Sequence, residues 1–107
     1  MTIHRYDGFM TIEFRDGDAR LVGALKALAD ESRLQMVRML HKHGSEMNCG
    51  QIGEHLDLNK STVSYHFRIL REAGLTSTRK EGQNRFVSLN EDAFDSLLPH
   101  FLDSLDK

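Results

Sequence analysis

Apolar residues recur every three or four positions through the first half of the chain, which predicts two amphipathic helices. Asp18 is expected to cap the first helix and Asp30 the second, because a carboxylate at the N-cap accepts hydrogen bonds from free backbone N–H groups. Gly44 then ends the second helix in a left-handed cap. The predicted apolar faces are Leu21, Leu25 and Leu28 in the first helix, and Leu34, Val37, Leu40 and His41 in the second.

Two further helices are predicted with a very short connection, residues 57–59. Asn48 is expected to cap the first of them and Asn59 the second, which ends at Gly74. Their predicted inward-facing residues are Ile52 and Leu56 in the first helix, and Val63, Phe67 and Leu70 in the second. Two helices joined by about three residues form a helix-turn-helix arrangement.

After Gly74 the side chains alternate with a period of two, which predicts a β-hairpin that turns at residues 81–84 and returns over residues 85–89. A last helix begins near Asn90, and Pro99 is expected to kink it or restart it because proline lacks the N–H donor. The apolar stripe of this helix is larger than one small core requires, which predicts a homodimer. The stripe comprises Phe94, Leu97, Leu98, Phe101, Leu102 and Leu105.

The predicted fold class is therefore mainly α with a small β-hairpin. With 107 residues, of which 39% are hydrophobic and 28% charged, the chain has the composition of one globular domain. We divide it into an N-terminal arm at residues 1–17, with a short strand at 10–14, a core at 18–90 and a C-terminal dimerisation helix at 91–107.

Charge is distributed unevenly along the chain, although the net charge is only −2. Residues 59–90 have a net charge of +4, whereas residues 1–58 have −2 and residues 91–107 have −4. A basic block between two acidic ones indicates a polyanionic partner for the helix and hairpin in that block.

The helix that follows Asn59 has an exposed face suited to double-stranded DNA, because hydroxyl groups and lysine can contact base edges in a major groove. Ser61 and Thr62, near its N-terminus, can also donate to phosphates. The hairpin adds cations and an amide for phosphates or a minor groove. The candidate DNA-binding residues are Lys60, Ser61, Thr62, Ser64, Tyr65 and Arg68 of the helix, and Arg79, Lys80, Gln83 and Arg85 of the hairpin. We expect Lys60, Ser61, Ser64 and Tyr65 to specify sequence, and Arg68, Arg79, Lys80 and Arg85 to neutralise phosphates.

Three segments resemble ArsR-type bacterial repressors. Residues 26–34 are similar to the start of that family's second helix, residues 58–75 to its recognition helix, and Glu81-Gly82 falls where its wing turns. The resemblance implies a winged helix-turn-helix repressor that binds operator DNA as a homodimer. It also implies that the first and last helices form the dimer interface, which adds Leu21 to the C-terminal stripe.

The chain departs from this family at the metal site. Asn48 and Gly50 stand where many members have two cysteines, and Cys49 lies between them. Near the last helix, Asp95, His100 and Asp103 lack the family's Asp-x-His spacing. We therefore expect no metal site and no cofactor. We also expect His41, His43 and His55 to be surface or interface residues.

Two alternative functions remain open from the sequence. One is a winged-helix module that binds a protein through the same face. The other is a metal or thiol sensor with an atypical site, in which the helix dipole lowers the pKa of Cys49.

An enzyme is not expected, because the sequence lacks a glycine-rich phosphate loop, a nucleophile elbow and a metal-binding histidine pair beside a glutamate. No apolar run approaches the roughly 18 residues of a membrane span, and residues 1–15 lack the pattern of a secretory signal. The expected location is the cytoplasm.

Overall fold

The structure, a computed structural model, describes residues 16–106 and their side chains from residue 18 onward. Its elements are α1 (Asp16–Leu28), α2 (Glu31–His43), β1 (Met47–Asn48), α3 (Cys49–Leu56), α4 (Lys60–Glu72), β2 (Thr76–Glu81), β3 (Asn84–Leu89), α5 (Glu91–Leu97) and α6 (Phe101–Ser104). The predicted mainly α fold with a β-hairpin is confirmed. Residues 1–15 of the predicted arm, including its predicted strand at 10–14, lie outside the described part of the chain.

Asparagine and aspartate caps start the helices at the predicted places. Asp30 accepts a hydrogen bond from the backbone N–H of Arg33, and Asn48 accepts one from that of Gly50. Asn59 caps α4 in the same way. The predicted cap at Asp18 is wrong, because α1 begins two residues earlier and Asp18 lies inside its first turn.

The chain passes from α3 to α4 through residues 57–59, so the predicted helix-turn-helix is confirmed. At position 53 the chain approaches the start of α4 so closely that any side chain would be crowded. A Cβ atom there would lie 3.1 Å from both the carbonyl oxygen of Leu58 and Cγ2 of Val63. Gly53 therefore allows α3 to lie directly against the start of α4.

The hairpin β2–β3 forms a wing beyond the end of α4, and Gly82 in its two-residue loop has a left-handed φ of 62°. Strand β1 pairs antiparallel with β3, which gives a three-stranded sheet in the order β1-β3-β2. The sequence did not predict β1, because two residues are too few to show an alternating pattern.

One hydrophobic core joins the helices to the inner side of the sheet. The predicted Val37, Leu40, Ile52, Val63, Phe67 and Leu70 are all buried in it. The predicted apolar face of α1 is partly wrong, because Leu25 is 49% exposed while Ala24, Ala27 and Leu28 are buried. Small alanine side chains allow α1 to lie close to α2 and α4, both of which it contacts.

The C-terminal segment forms two short helices, α5 and α6, so the helix is restarted after Pro99, one of the two outcomes expected from the sequence. Pro99 lies in the break, and His100 adopts a left-handed φ of 68° that redirects the chain. The segment then returns to α2, where Nε of Arg38 donates to the carbonyl oxygen of Leu105 at 3.4 Å. Within residues 16–106, none of the helices has the length and apolar character needed to cross a membrane.

Candidate nucleic-acid interface

Helix α4 presents the predicted polar face to solvent. The buried face of α4 comprises Val63, His66, Phe67 and Leu70. The exposed residues on the opposite side include Lys60, Ser61, Ser64, Tyr65 and Arg68, while Thr62 is half-buried. The sequence therefore assigned the two faces correctly, except that it did not identify His66 as a buried residue.

The N-terminus of α4 is organised by the Asn59 side chain. Its Oδ1 accepts from the backbone N–H of Thr62 at 2.8 Å and from the hydroxyl of Ser61 at 3.0 Å. In this arrangement the Ser61 hydroxyl uses its hydrogen within the protein, so it offers lone pairs outward and acts as an acceptor.

Tyr65 and Arg68 form a contact on the exposed face. The Arg68 guanidinium carbon lies 5.7 Å from the centroid of the Tyr65 ring, within the range of a cation–π interaction. Since the Tyr65 ring is 50% exposed, this contact restricts its orientation without covering it. The pair thus presents an aromatic ring, a hydroxyl and a cation together.

The wing brings two cations directly opposite each other. Lys80 on β2 pairs with Arg85 on β3, and both are exposed. Directly opposed like charges destabilise a strand pair, and an anion placed between them would relieve the repulsion. Gln83 lies exposed in the loop at the tip.

Arg79 has a different environment from the other wing cations. Its guanidinium forms two hydrogen bonds with the Glu46 carboxylate and lies over the Phe86 ring, 4.6 Å from the centroid. The hydrogen bond to Arg79 lowers the pKa of Glu46, and the same bond raises the pKa of Arg79. Arg79 therefore attaches the wing to the segment before β1, a partnership for which the sequence gave no signal.

Asn90 connects three elements around the end of α4. Its Nδ2 donates to the carbonyl oxygen of Gly74 at 2.9 Å, and its Oδ1 accepts from the Ser77 hydroxyl at 2.6 Å. Its backbone N–H also donates to the carbonyl oxygen of Leu75. The sequence indicated only a helix start here, whereas the residue links α4, β2 and α5.

Cys49 is half-buried at the start of α3. Burial raises the pKa of its thiol, and the nearby Arg85 guanidinium opposes this effect only in part. The expectation that the helix dipole lowers this pKa is therefore wrong, because desolvation of the thiolate is the larger effect.

One group in the described part of the chain brings potential metal ligands together. His41, Asp103 and Asp106 each place one ligand atom within 4.8 Å of the others. Nε2 of His41 is 3.1 Å from Oδ1 of Asp106, so the group already forms an ion pair between α2 and the C-terminal segment when the histidine is protonated. The sequence did not indicate it, because His41 lies far from both aspartates along the chain. His43 and His55 are exposed, as predicted.

Comparison with known proteins agrees with this geometry. The sequence profile described as "Bacterial regulatory protein, arsR family" matches residues 30–78. The chain is 49% identical over 100 residues to the uncharacterized HTH-type transcriptional regulator YceK of Bacillus subtilis, covering 94% of this chain and 99% of YceK.

Two solved structures are similar to this one. HlyU from Vibrio cholerae superposes with a TM-score of 0.68 at 37% identity, over 83% of this chain and 97% of HlyU. HlyU is named as a transcriptional activator. The homodimeric winged helix-turn-helix DNA-binding domain of Mb0332 from Mycobacterium bovis has a TM-score of 0.66 at 26% identity, over 78% of this chain and 81% of that one. The chain therefore belongs to the arsR family of bacterial regulatory proteins, which are helix-turn-helix transcription regulators.

Proposed function

We propose that this regulator acts as a homodimer that binds operator DNA in the cytoplasm, with α4 in the major groove and the wing beside it. The observation that carries the proposal is the position of the exposed polar face of α4 next to the wing. Helix α4 contacts β2, and the opposed cations Lys80 and Arg85 lie on the hairpin that β2 begins. A duplex that receives α4 would thus bring its phosphates to the wing.

Lys60, Ser64 and Tyr65 are the residues that we propose for base recognition. They are exposed on the N-terminal half of α4, which enters a groove most deeply in helix-turn-helix proteins. Ser61 and Thr62 lie beside them, and Ser61 would accept from base amino groups since it donates to Asn59. Arg68, Lys80, Gln83 and Arg85 would contact the backbone.

The dimer interface that we propose combines α1 with the C-terminal segment. Val22 and Leu25 are 47% and 49% exposed on α1, which is a large exposure for apolar side chains in a small protein. Leu21, Leu97, Leu98 and Phe101 of the predicted interface are half-buried, so each retains surface for a partner. Phe94, Leu102 and Leu105 are already buried in the core of one chain and would support the interface from beneath.

Repression is the direction of regulation that we propose, because a dimer bound at a promoter excludes other proteins from the DNA. Activation is the alternative direction, because the relative HlyU is named as a transcriptional activator. A reporter gene placed behind the protein's own upstream DNA distinguishes the two directions: deletion of the protein raises expression if it represses.

Fluorescence anisotropy with DNA from upstream of its own gene tests the DNA-binding proposal. We expect specific binding that exceeds binding to a scrambled duplex by about 10³-fold or more, and that weakens by orders of magnitude between about 50 and 200 mM salt. Ser64→Ala and Tyr65→Ala should alter base preference, whereas Gln35→Ala, an exposed change on α2, should not. Binding that is equally weak on selected and scrambled duplexes would favour the alternative of a protein-interaction module.

A further inference from the structure

A buried polar contact holds the inner face of the recognition helix α4. The His66 side chain is only 11% exposed, and its Nδ1 lies 3.1 Å from Nη1 of Arg33 on α2. Nε of the same guanidinium donates to the carbonyl oxygen of Ala27 in the last turn of α1 at 2.6 Å. Arg33 therefore connects α1, α2 and α4 at one point.

This contact determines the protonation state of the His66 ring. A guanidinium can only donate hydrogen bonds, so Nδ1 of His66 must accept the bond from Arg33. The ring that makes this bond is consequently neutral, with its proton on Nε2. Protonation of Nδ1 would remove this acceptor and break the contact with Arg33.

A second partner for Nδ1 is present nearby. Oδ2 of Asp30 lies 4.0 Å from Nδ1 of His66, and this same oxygen caps α2 by accepting from the backbone N–H of Arg33. The cap bond is the main cause of the lowered pKa of Asp30, which keeps that carboxylate ionised. A protonated His66 would face the Arg33 cation with an N–H donor, and the Asp30 carboxylate lies close enough to become its acceptor after a small shift.

Among residues 16–106, few other groups lie close to the His66 imidazole. Its charged neighbours are Arg33, 3.1 Å away, and Asp30, 4.0 Å away, both at the start of α2. Helix α1 contributes the Ala27 carbonyl through Arg33, and α4 contributes the Tyr65 ring, 5.4 Å from the imidazole centroid. Protonation would therefore exchange an arginine partner for an aspartate partner next to the Tyr65 ring.

We propose that neutral His66 is a positioning residue for DNA recognition, which through Arg33 fixes the orientation of α4 against α1 and α2, and that protonation of its ring weakens operator preference. The proposal rests on the DNA-binding function proposed above. Loss of the Arg33 contact would allow α4 to shift at its middle, where Ser64 and Tyr65 present their side chains. The added positive charge would not weaken non-specific binding, so the effect should appear in the preference for the operator over a scrambled duplex.

Measurement of operator preference between about pH 8 and pH 5 tests the proposal. We expect the ratio of operator to scrambled affinity in the wild-type protein to fall by about tenfold or more as the pH decreases, the size expected from loss of a charged hydrogen bond. His66→Asn retains an acceptor near the Nδ1 position and does not titrate, so its ratio should stay constant. His43→Asn changes an exposed histidine on the same helix as Arg33 and should retain the wild-type pH profile.

A ratio in the wild-type protein that does not change with pH, or an equal decrease in His66→Asn, would overturn the proposal. NMR of the wild-type imidazole nitrogens provides a second readout that requires neither DNA nor a folded variant. At about pH 8 we expect His66 to be protonated on Nε2 alone, and its titration to coincide with shifts of the α4 amides. A proton on Nδ1 at that pH would contradict the proposal. Absence of operator preference at every pH would instead overturn the DNA-binding function, while the NMR result would still stand.

Discussion

The guanidinium of Arg79 and the carboxylate of Glu46 form a two-pronged salt bridge, with Nη2 to Oε2 at 2.6 Å and Nε to Oε1 at 3.2 Å. This pair attaches the first strand of the wing to the segment that follows α2. Glu46 already neutralises Arg79. The positive charge of the wing that is available for a phosphate therefore comes mainly from Lys80 and Arg85, neither of which has an acidic partner among residues 18–106.

Replacement of Lys80 should weaken DNA binding without changing its sequence preference. Lys80→Ala removes one phosphate contact, so the slope of log affinity against log salt concentration should become shallower by about one. A salt titration by fluorescence anisotropy measures this slope. Lys42→Ala, which removes an exposed lysine from α2, is the matched control and should leave the slope unchanged. Equal slopes for the wild-type protein and Lys80→Ala would exclude a phosphate contact at this position.

Replacement of Glu46 should have the opposite effect. Glu46→Gln removes a negative charge and the closer of two acidic partners of Arg79, since Glu81 remains 3.7 Å away. Binding to every duplex should therefore strengthen, and the salt slope should become steeper by at most about one. Arg79→Ala should change the slope little, since this cation is already paired. The same anisotropy titrations test both variants. A markedly shallower slope for Arg79→Ala would show that Arg79 contacts phosphate in spite of Glu46.

An added methyl group at position 53 should destabilise the protein. In Gly53→Ala the new Cβ would lie 3.1 Å from the Leu58 carbonyl oxygen, which is backbone and cannot move easily. We expect a loss of about 1–3 kcal/mol in the free energy of unfolding, measured by urea denaturation. Gly23→Ala is the control, since a Cβ at position 23 meets no atom within 4 Å. That change should stabilise α1 by about 0.5–1 kcal/mol. A Gly53→Ala protein as stable as Gly23→Ala would contradict the close approach of α3 and α4.

The Cys49 thiol should react slowly with alkylating reagents at neutral pH. Its raised pKa leaves less thiolate at pH 7 than an ordinary thiol has, and the thiolate is the nucleophile. We expect alkylation by iodoacetamide to be about tenfold or more slower than for the same cysteine in the denatured protein. The rate should continue to rise with pH beyond the ordinary thiol pKa. A reaction faster in the native protein than in the denatured one would instead support the thiol-sensor alternative.

Local signals in the sequence were sufficient for α2, α3, α4 and the wing, although not for the start and apolar face of α1. Asn48 and Asn59 cap α3 and α4 as expected, because a cap depends on residues within one turn. The same holds for Gly74, which follows α4 with a left-handed φ of 82°. The polar face of α4 was also predictable, since helical periodicity alone separates it from the buried face.

Contacts between distant residues could not be predicted in this way. The Arg79–Glu46 pair and the Arg33–His66 contact each join residues 33 positions apart, a separation that no periodic pattern reveals. The sequence predicted a dimer interface for the C-terminal stripe, but it could not show that Phe94 is buried in the core of its own chain. Periodicity identifies an apolar face, but it does not show which surface covers that face.

Chemical footprinting on a selected operator tests the central claim most directly. Dimethyl sulfate methylates N7 of guanine in the major groove, where α4 is proposed to bind. Two blocks of protected guanines, separated centre to centre by one or more helical turns of about 34–36 Å, are the predicted result for a dimer of this fold. In Ser64→Ala or Tyr65→Ala the protection within each block should weaken. Protection of the backbone without protection of guanine N7 in either half-site would contradict recognition by α4.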